Sequence, residues 1–368
     1  MKVAFLIDRL GLDGISRVCL AQAKGLASRG VEVAIFTKKV FPQILKSRLE
    51  NINVFKVSIS GYNIRKILHS LSEYDVVHSH YITFSTLGSL INLAGIPHIF
   101  HEHGHVFPYL LRNFKSFVGF TRYILFESPN IVLSKRIIAI SNFISREVQR
   151  IFPFINTQKM RVIYNPIDIT AFSLVKPEKA RELLKLDHFQ YVILSVQAPG
   201  RQNDYEYIQI AKTILSKQKN IAIVTVMRNR DSYNYIKKLL GSIDNVITLY
   251  GIPDYELNLL YNASDVFFTI SRWESFGYPI AEAMFAGKPV IGYDTAAIGE
   301  LIINGLNGLK VPIGQWNAMA NAILTLLNEE QIRKQLGKNS KEFAVRNFSP
   351  AVITQKLLEV YKEAVMLK

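Results

Sequence analysis

Two glutamates, Glu274 and Glu282, lie eight residues apart, and a pair of carboxylates at this spacing can bind the hydroxyl groups of a ligand. Before Glu274, the apolar, β-branched and aromatic stretch Asp265–Ile270 is typical of a buried strand. The stretch Ile280–Ala286, which contains Glu282, has helix-forming composition, and Gly287 ends it. The sequence therefore predicts one carboxylate in a strand-to-helix loop and the other about two turns further on, inside the helix.

The residues between these two carboxylates predict an anion site. Gly277 lets the backbone approach a ligand closely, and the amides of Phe276, Gly277 and Tyr278 lie at the positive end of the predicted helix dipole. A carboxylate on each side of an anion site suits a nucleotide sugar, which has hydroxyls at both ends and phosphate between them. The alternative is an ordinary βαβ unit with surface glutamates, which composition alone leaves open.

Apolar strand patterns alternate with amphipathic helix patterns along the whole chain. The predicted strands are 3–7, 31–36, 54–57, 75–78, 96–100 and 136–140 in the first half, and 191–196, 221–226, 246–249, 265–270 and 289–292 in the second. This alternation predicts parallel, doubly wound sheets, and the proline-containing stretch Asn165–Pro177 predicts a linker between two domains. In such α/β sheets, ligands bind at the carboxyl ends of the strands.

Charge is distributed unevenly along the chain. Residues 1–170 carry 21 Lys and Arg against 10 Asp and Glu, whereas the remainder carries 23 against 19. A basic first half predicts an anionic partner, such as nucleic acid, acidic lipid or a phosphate-bearing substrate. Because no zinc finger, aromatic RNA-binding signature or long Lys/Arg run accompanies the charge, we expect no nucleic-acid partner.

The stretch Tyr109–Arg136 mixes aromatic and basic residues and is typical of a segment that lies on an anionic membrane surface. A core helix with a solvated basic face is an equally good interpretation. The uncharged stretch Val76–His101 contains several histidines and divides into strand, helix and strand, so we predict no transmembrane helix there. With Cys19 as the single cysteine, we expect a cytoplasmic protein, with peripheral association at the inner membrane face as an option.

Six of the eight histidines fall between positions 78 and 105. His-x-His spacing on a strand points both rings to one side, which a zinc site could use, and Glu102 could add a further ligand. On that basis a zinc hydrolase is a minor hypothesis. The favoured interpretation is that the histidines other than His103 are ordinary polar residues at strand ends and that the chain binds no metal.

The segment from Glu274 to Glu282 resembles the E-x7-E signature of the retaining GT-B glycosyltransferases, family four. Further segments resemble the same family in the same order, namely Leu12–Thr37, Asp75–His80, Pro97–Gly104, Ile138–Asn142, Val162–Asp168, Glu300 and Asn304–Gly308. The resemblance covers roughly the whole chain. It implies the GT-B fold, with two Rossmann-like, doubly wound parallel-sheet domains facing a central cleft.

The resemblance also implies domain bounds and residue roles. Residues 1–170 are expected to bind the acceptor, 171–349 the nucleotide sugar, and 350–368 to form a helix that crosses back to the first domain. Glu274 and His103 are expected to be catalytic residues that contact the donor sugar, and Glu282 to bind the ribose hydroxyls. Gly14 and Arg17 belong to an expected acceptor-side loop, although a plain turn capped by a neighbouring aspartate explains that loop equally well.

The family usually carries an arginine and a lysine that stabilise the leaving diphosphate, and this chain lacks both. In the simplest register Ala198 occupies the usual arginine position and Asn203 the usual lysine position. Three arginines of the two adjacent loops, Arg201, Arg228 and Arg230, can substitute, because a guanidinium makes bidentate phosphate contacts. We assign Arg201 and Arg228 to donor binding.

The resulting functional hypothesis is a retaining glycosyltransferase that needs no metal or cofactor. It would transfer a sugar from a nucleoside diphosphate donor, UDP- or GDP-linked, to a glycan or polyprenyl-phosphate-linked acceptor in cell-surface polysaccharide or glycoconjugate biosynthesis. An alternative is a catalytically degenerate GT-B protein that binds a glycan or nucleotide without turnover, since both family cations are replaced.

Overall fold

The computed structural model describes residues 1–11, 13–41, 52–58, 63–80, 85–104, 128–167, 175–197, 203–228, 230–240, 243 and 245–367. Contacts divide the chain into two compact units, Met1–Pro166 with Pro350–Lys368, and Ile167–Ser349. The division lies four residues before the expected bound at 170, and the C-terminal segment groups with the first unit.

The first unit is built on a parallel sheet, of which seven strands are described. They are β1 (Lys2–Leu10), β2 (Glu32–Val40), β3 (Asn53–Lys56), β4 (Val76–Ser79), β5 (His98–Glu102), β6 (Arg136–Ala139) and β7 (Met160–Val162), in the spatial order β3-β2-β1-β4-β5-β6-β7. The helices between them are α1 (Gly14–Ala27), α2 (Ile64–Ser72), α3 (Ser85–Leu93) and α4 (Asn142–Ile151), with a 3₁₀ turn at Thr157–Lys159. Residues 128–133 are also helical.

The second unit repeats this architecture with six described strands. They are β8 (Tyr191–Gln197), β9 (Ile221–Met227), β10 (Val246–Tyr250), β11 (Val266–Thr269), β12 (Val290–Tyr293) and β13 (Gly308–Val311), in the order β10-β9-β8-β11-β12-β13. Its helices are α5 (Pro177–Leu184), α6 (Asp204–Lys217), α7 (Arg230–Leu240), α8 (Asp254–Ala263), α9 (Tyr278–Phe285), α10 (Ile298–Leu301), α11 (Trp316–Asn328) and α12 (Glu330–Phe348). The final helix of the chain, α13 (Pro350–Met366), belongs to the first unit.

Both sheets confirm the predicted α/β class with doubly wound parallel sheets, because every described strand pair is parallel. Helices cover both faces, so the inner strands β1, β8 and β9 are buried along nearly their whole length and read as continuous apolar runs. Each predicted strand has a counterpart. The short edge strands β7 and β13 were not predicted.

Helix α13 packs on α1 and contributes buried side chains to the core of the first unit. The backbone of Gly25 in α1 approaches Thr354 so closely that a side chain there would collide with its hydroxyl. Tyr361 of α13 is fully buried and reaches the sheet at β4. The C-terminal helix is therefore a structural part of the first unit.

No helix in the described part of the chain is both long enough and apolar enough to cross a bilayer.

The position of α9 in the second unit depends on a close approach between two glycines. A Cβ added at Gly337 in α12 would overlap the carbonyl oxygen of Gly287, which directly follows α9. We therefore expect Gly337→Ala to destabilise the second unit by about 1–3 kcal/mol, although glycine-to-alanine changes inside helices ordinarily stabilise.

Urea unfolding followed by tryptophan fluorescence tests this, because both tryptophans, Trp273 and Trp316, lie in the second unit. The matched control is Ser340→Ala on the same helix, which removes a buried hydroxyl that has no hydrogen-bond partner and adds no volume. A Gly337→Ala variant as stable as the control would contradict the steric argument.

Candidate functional site

The predicted loop between strand β11 and helix α9 forms as expected, with Glu274 in the loop and Glu282 inside the helix. Gly277 has φ of +94°, and a side chain at this position would press on Ile280 and Leu301. Only glycine therefore fits the turn without strain. The first turn of α9 carries no acidic side chain and contains a proline, so its positive end can accept an anion.

Both glutamates of the pair are buried, being 8% exposed at Glu274 and 4% exposed at Glu282. The hydroxyl of Tyr261, in α8, donates to Oε2 of Glu282 over 2.8 Å. Burial and the charge of Glu282 raise the pKa of Tyr261 well above its usual value, so the hydroxyl keeps its proton. The Glu282 side chain is thus held in place by a neutral hydroxyl donor. Neither glutamate is the solvated surface residue of the alternative interpretation.

A third buried carboxylate, Glu206 in α6, connects the loop of Glu274 to the sheet. Tyr293 at the end of β12 donates to its Oε2 over 2.8 Å, and Arg272 from the loop forms an ion pair with its other oxygen. The loop is tied to the next turn as well, since Ala297 donates its amide to the carbonyl of Glu274 at 3.2 Å. Glu206 therefore fixes the loop that carries Glu274.

The replaced cation position at Asn203 has a structural role. Asn203 is the N-cap of α6, where its Oδ1 accepts from the amide of Tyr205 at 3.0 Å and its Nδ2 donates to Glu206 at 3.4 Å. These bonds explain a short polar side chain at this position. Ala198 and Arg201 lie outside the described residues, so the place of Arg201 is not defined.

Arg228 lies close to the Glu282 pair. It follows β9, is exposed, and its amide donates to the carbonyl of Gln197 at 3.3 Å. Its charge acts on the hydroxyl of Tyr261, where it opposes part of the rise in pKa caused by burial and by Glu282. Among the arginines proposed to replace the missing cations, Arg228 thus acts on the hydroxyl that holds Glu282, whereas Arg230 begins α7 with an exposed side chain.

In the first unit, four histidines at the carboxyl ends of β4 and β5 form one stacked, buried cluster. His78 shares hydrogen bonds with the hydroxyl of Tyr361 at 2.7 Å and with Nδ1 of His101 at 3.1 Å. His80 lies 3.3 Å from Nε2 of His103 through its Nδ1, and the rings of His101 and His103 stack at 4.3 Å. The strand ends therefore place the predicted residue His103 in direct contact with two other histidines.

Three histidines of the cluster, His78, His80 and His101, have pKa values lowered by burial. Burial lowers the pKa of His80 to about 3 and holds the pKa values of His78 and His101 well below the usual range. One nitrogen each of His78, His80 and His101 lies within 4.8 Å of the others. Glu102, the further ligand of the zinc hypothesis, instead accepts from the amide of Gly104 at 2.6 Å.

The predicted acceptor-side loop at Gly14 and Arg17 is a capped helix start. Asp13 accepts from the amide of Ser16 at 3.1 Å, and the Ser16 hydroxyl accepts in turn from the amide of Gly11 at 2.9 Å. The capping interpretation of Asp13 is confirmed. Gly14 is exposed at the first position of α1, and Arg17 is half-buried in its first turn.

Sequence reasoning missed the partners that hold these side chains. Tyr261, Glu206, Tyr293 and Tyr361 lie 21 to 283 residues from the groups they contact, so no local spacing could have indicated them. The stretch Tyr109–Arg136 lies outside the described residues up to residue 127.

Two family models match the chain. The model of the glycosyl transferases group 1 matches residues 177–343, and that of glycosyltransferase family 4 matches residues 12–171.

Similar proteins match along nearly the full length. An uncharacterized glycosyltransferase of Methanocaldococcus jannaschii is 25% identical over 96% of this chain and 95% of its own. The UDP-Gal:alpha-D-GlcNAc-diphosphoundecaprenol alpha-1,3-galactosyltransferase of Escherichia coli is 24% identical over 97% and 95%. The crystal structure of Anabaena Alr3699/HepE in complex with UDP superposes with a TM-score of 0.80 at 22% identity, over 98% of this chain and 100% of that one.

The neutral histidines predict an acid-sensitive first unit. Because burial lowers the pKa of His80 and of His98 to about 3, the unfolded chain binds more protons below pH ~6.5, the usual histidine value. Their stabilising contribution is complete above that pH and falls as the pH drops towards 3. Each such histidine is expected to lower the free energy of unfolding by about 1.4 kcal/mol per pH unit in that window.

Thermal unfolding followed by circular dichroism between neutral and acidic pH tests this expectation. Replacing His98 with asparagine should make the pH dependence shallower, whereas replacing the exposed His188 with glutamine should leave it unchanged. An equal slope in all three proteins would show that the buried histidines are not its source.

Proposed function

The chain belongs to the group 1 glycosyltransferases and has the GT-B fold, and we propose that it is a retaining, metal-independent transferase. Its donor is a UDP- or GDP-linked sugar, and its acceptor is a glycan or a polyprenyl-phosphate-linked glycan. The product belongs to cell-surface polysaccharide or glycoconjugate biosynthesis. We place the reaction in the cytoplasm, at the inner face of the membrane.

The main support for this proposal is the Glu282 carboxyl group, which is buried in helix α9 and held by a tyrosine hydroxyl. A carboxylate accepts two hydrogen bonds from neighbouring ribose hydroxyls, and the bond from Tyr261 orients it. The amides of Phe276, Gly277 and Tyr278 bind the phosphates at the start of α9. The similar proteins named for UDP and UDP-Gal favour a uridine nucleotide.

Retention without a protein nucleophile requires front-face attack. The acceptor hydroxyl bonds to the anomeric carbon on the face from which the diphosphate leaves, and its proton passes to a departing phosphate oxygen. Glu274 and His103 hold the sugar hydroxyls. Arg228 and Arg201, with the start of α9, stabilise the negative charge that develops on the diphosphate. Gly14 and Arg17 contact the acceptor.

Arg228 supports this function over a degenerate binding protein. The degenerate alternative rests on the loss of both family cations, at Ala198 and Asn203. The charge of Arg228 acts on the Tyr261–Glu282 pair, so a cation is present beside the proposed nucleotide site. We therefore favour a catalytic protein.

Glu282→Gln should weaken binding of the nucleoside diphosphate by about 10- to 100-fold, because hydrogen bonds to a charged acceptor become bonds to a neutral amide. Isothermal titration with UDP and GDP measures the affinity. The control is Glu342→Gln, an exposed glutamate of α12 in the same unit. Unchanged affinity for Glu282→Gln would remove its assigned role.

Glu274→Gln should leave nucleotide binding near that of the wild type and abolish most turnover, since its proposed contacts are to the sugar. The measurement is release of nucleoside diphosphate from a panel of UDP-, GDP- and ADP-sugars, with EDTA present and candidate acceptors added. Loss of activity in EDTA would overturn metal independence. A donor that binds without any turnover across all acceptors would instead favour the degenerate alternative.

A further inference from the structure

A cavity of about 590 Å³ lies in the first unit, where strands β6 and β7 begin. The histidine cluster lies at the carboxyl ends of β4 and β5, so the cavity is at the opposite edge of the same parallel sheet. Its lining residues are Leu133, Ser134, Lys135, Arg136, Asn156, Gln158, Lys159, Arg161 and Leu367. None of the proposed transfer chemistry uses this edge.

Four cations line this basic cavity, and one acid partly balances them. A single carboxylate oxygen of Glu363 bridges Nε of Arg136 at 2.8 Å and Nη2 of Arg161 at 2.7 Å. Lys135, Arg136 and Lys159 line the same cavity, and burial followed by the charges of the other two cations lowers the pKa of Lys159. An anion in the cavity would relieve this repulsion.

The two lysines are positioned by backbone carbonyls. Nζ of Lys135 donates to the carbonyl of Leu367 at 3.1 Å, and Nζ of Lys159 donates to that of Val132 at 2.9 Å. Each bond uses one of the three N–H groups of an ammonium, so each lysine is oriented and retains donor capacity. The two ammonium groups are therefore held in place at the wall of a cavity that is large enough to admit a phosphate group.

Apolar side chains border the same cavity and are open to solvent. Leu133 and Leu367 line it and are 41% and 45% exposed, and their chain neighbours Val132 and Met366 are 38% and 82% exposed. Phe154, two residues before the lining residue Asn156, is 70% exposed. Cations beside exposed leucine, methionine and phenylalanine are typical of a surface that meets both lipid headgroups and acyl chains.

We propose that this face of the first unit docks on an anionic bilayer, with a lipid phosphate in the basic cavity and the bordering apolar side chains in the acyl boundary. Charge complementarity selects the lipid surface, and the exposed apolar border favours a bilayer over a soluble phosphate. The proposal gives the membrane association in the proposed function a location. It does not depend on the transfer chemistry, because vesicle binding is measured without donor or acceptor.

Co-sedimentation of the full chain with vesicles tests the proposal. The wild type should bind phosphatidylcholine vesicles containing about one third phosphatidylglycerol, bind pure phosphatidylcholine weakly, and dissociate as salt is raised. The double substitution Lys135→Gln with Lys159→Gln should lower the partition coefficient roughly 30-fold, about fivefold per lysine. The matched control, Lys212→Gln with Lys219→Gln, removes the same charge from exposed positions of the second unit and should bind as the wild type does.

The apolar border gives a second, independent variant. Leu133→Ser with Leu367→Ser should also weaken binding to anionic vesicles while leaving the charge unchanged, and thermal unfolding of each variant confirms that it folds. Equal loss in both lysine pairs would reduce the effect to overall charge and overturn the proposal. A second result would also overturn the proposal. If the protein binds inorganic phosphate but not vesicles, and substitution of Lys135 and Lys159 abolishes the phosphate binding, the cavity is a site for a soluble phosphate.

Discussion

Buried tyrosine hydroxyls hold ionisable side chains in both units, and the arrangement of the two candidate sites depends on these hydrogen bonds. Tyr261 donates to Glu282, Tyr293 donates to Glu206, and Tyr361 shares a hydrogen bond with a histidine of the first unit. A charge removed from water needs a hydrogen-bond partner, and a carboxylate without one would take up a proton instead. A tyrosine hydroxyl satisfies this need without cancelling the charge. It therefore fixes the position of the side chain.

The two glutamates that tyrosines hold differ in how their charge is compensated. Glu206 forms an ion pair with Arg272, so its charge is used within the protein to join α6, the loop of Glu274 and strand β12. Glu282 is anchored by Tyr261, and the charge of Arg228 reaches the pair from a neighbouring strand end. The first arrangement suits a structural support, since Glu206 and Arg272 form an ion pair with each other. The second leaves Glu282 held by a neutral hydroxyl, which is the arrangement that supports its proposed role as a binding group.

The sequence predicted the sheets and the loop-to-helix placement of the glutamate pair because both are local properties. Strand patterns of apolar residues, and a glycine before a helix, depend on neighbours along the chain. Strands β7 and β13 were missed since three or four residues at a sheet edge leave almost no pattern. The supporting tyrosines were missed for a different reason. Tyr361 lies 283 residues from its histidine partner, and only the packing of the C-terminal helix against the first sheet brings them together.

Asn203 shows why a missing family residue is weak grounds for a missing activity. Judged by sequence register, an amide in place of a lysine removes a positive charge from the phosphate site. In the structure, Asn203 caps α6 and donates to Glu206, the group that also holds Arg272 in the loop of Glu274. A lysine side chain has no hydrogen-bond acceptor with which to cap the helix, so the residue at position 203 has a structural role in this chain. A positive charge is found instead at the end of β9, where Arg228 acts on the hydroxyl of Tyr261, the partner of Glu282. Electrostatic stabilisation depends on where the charge lies in space, which a substitution along the chain can preserve.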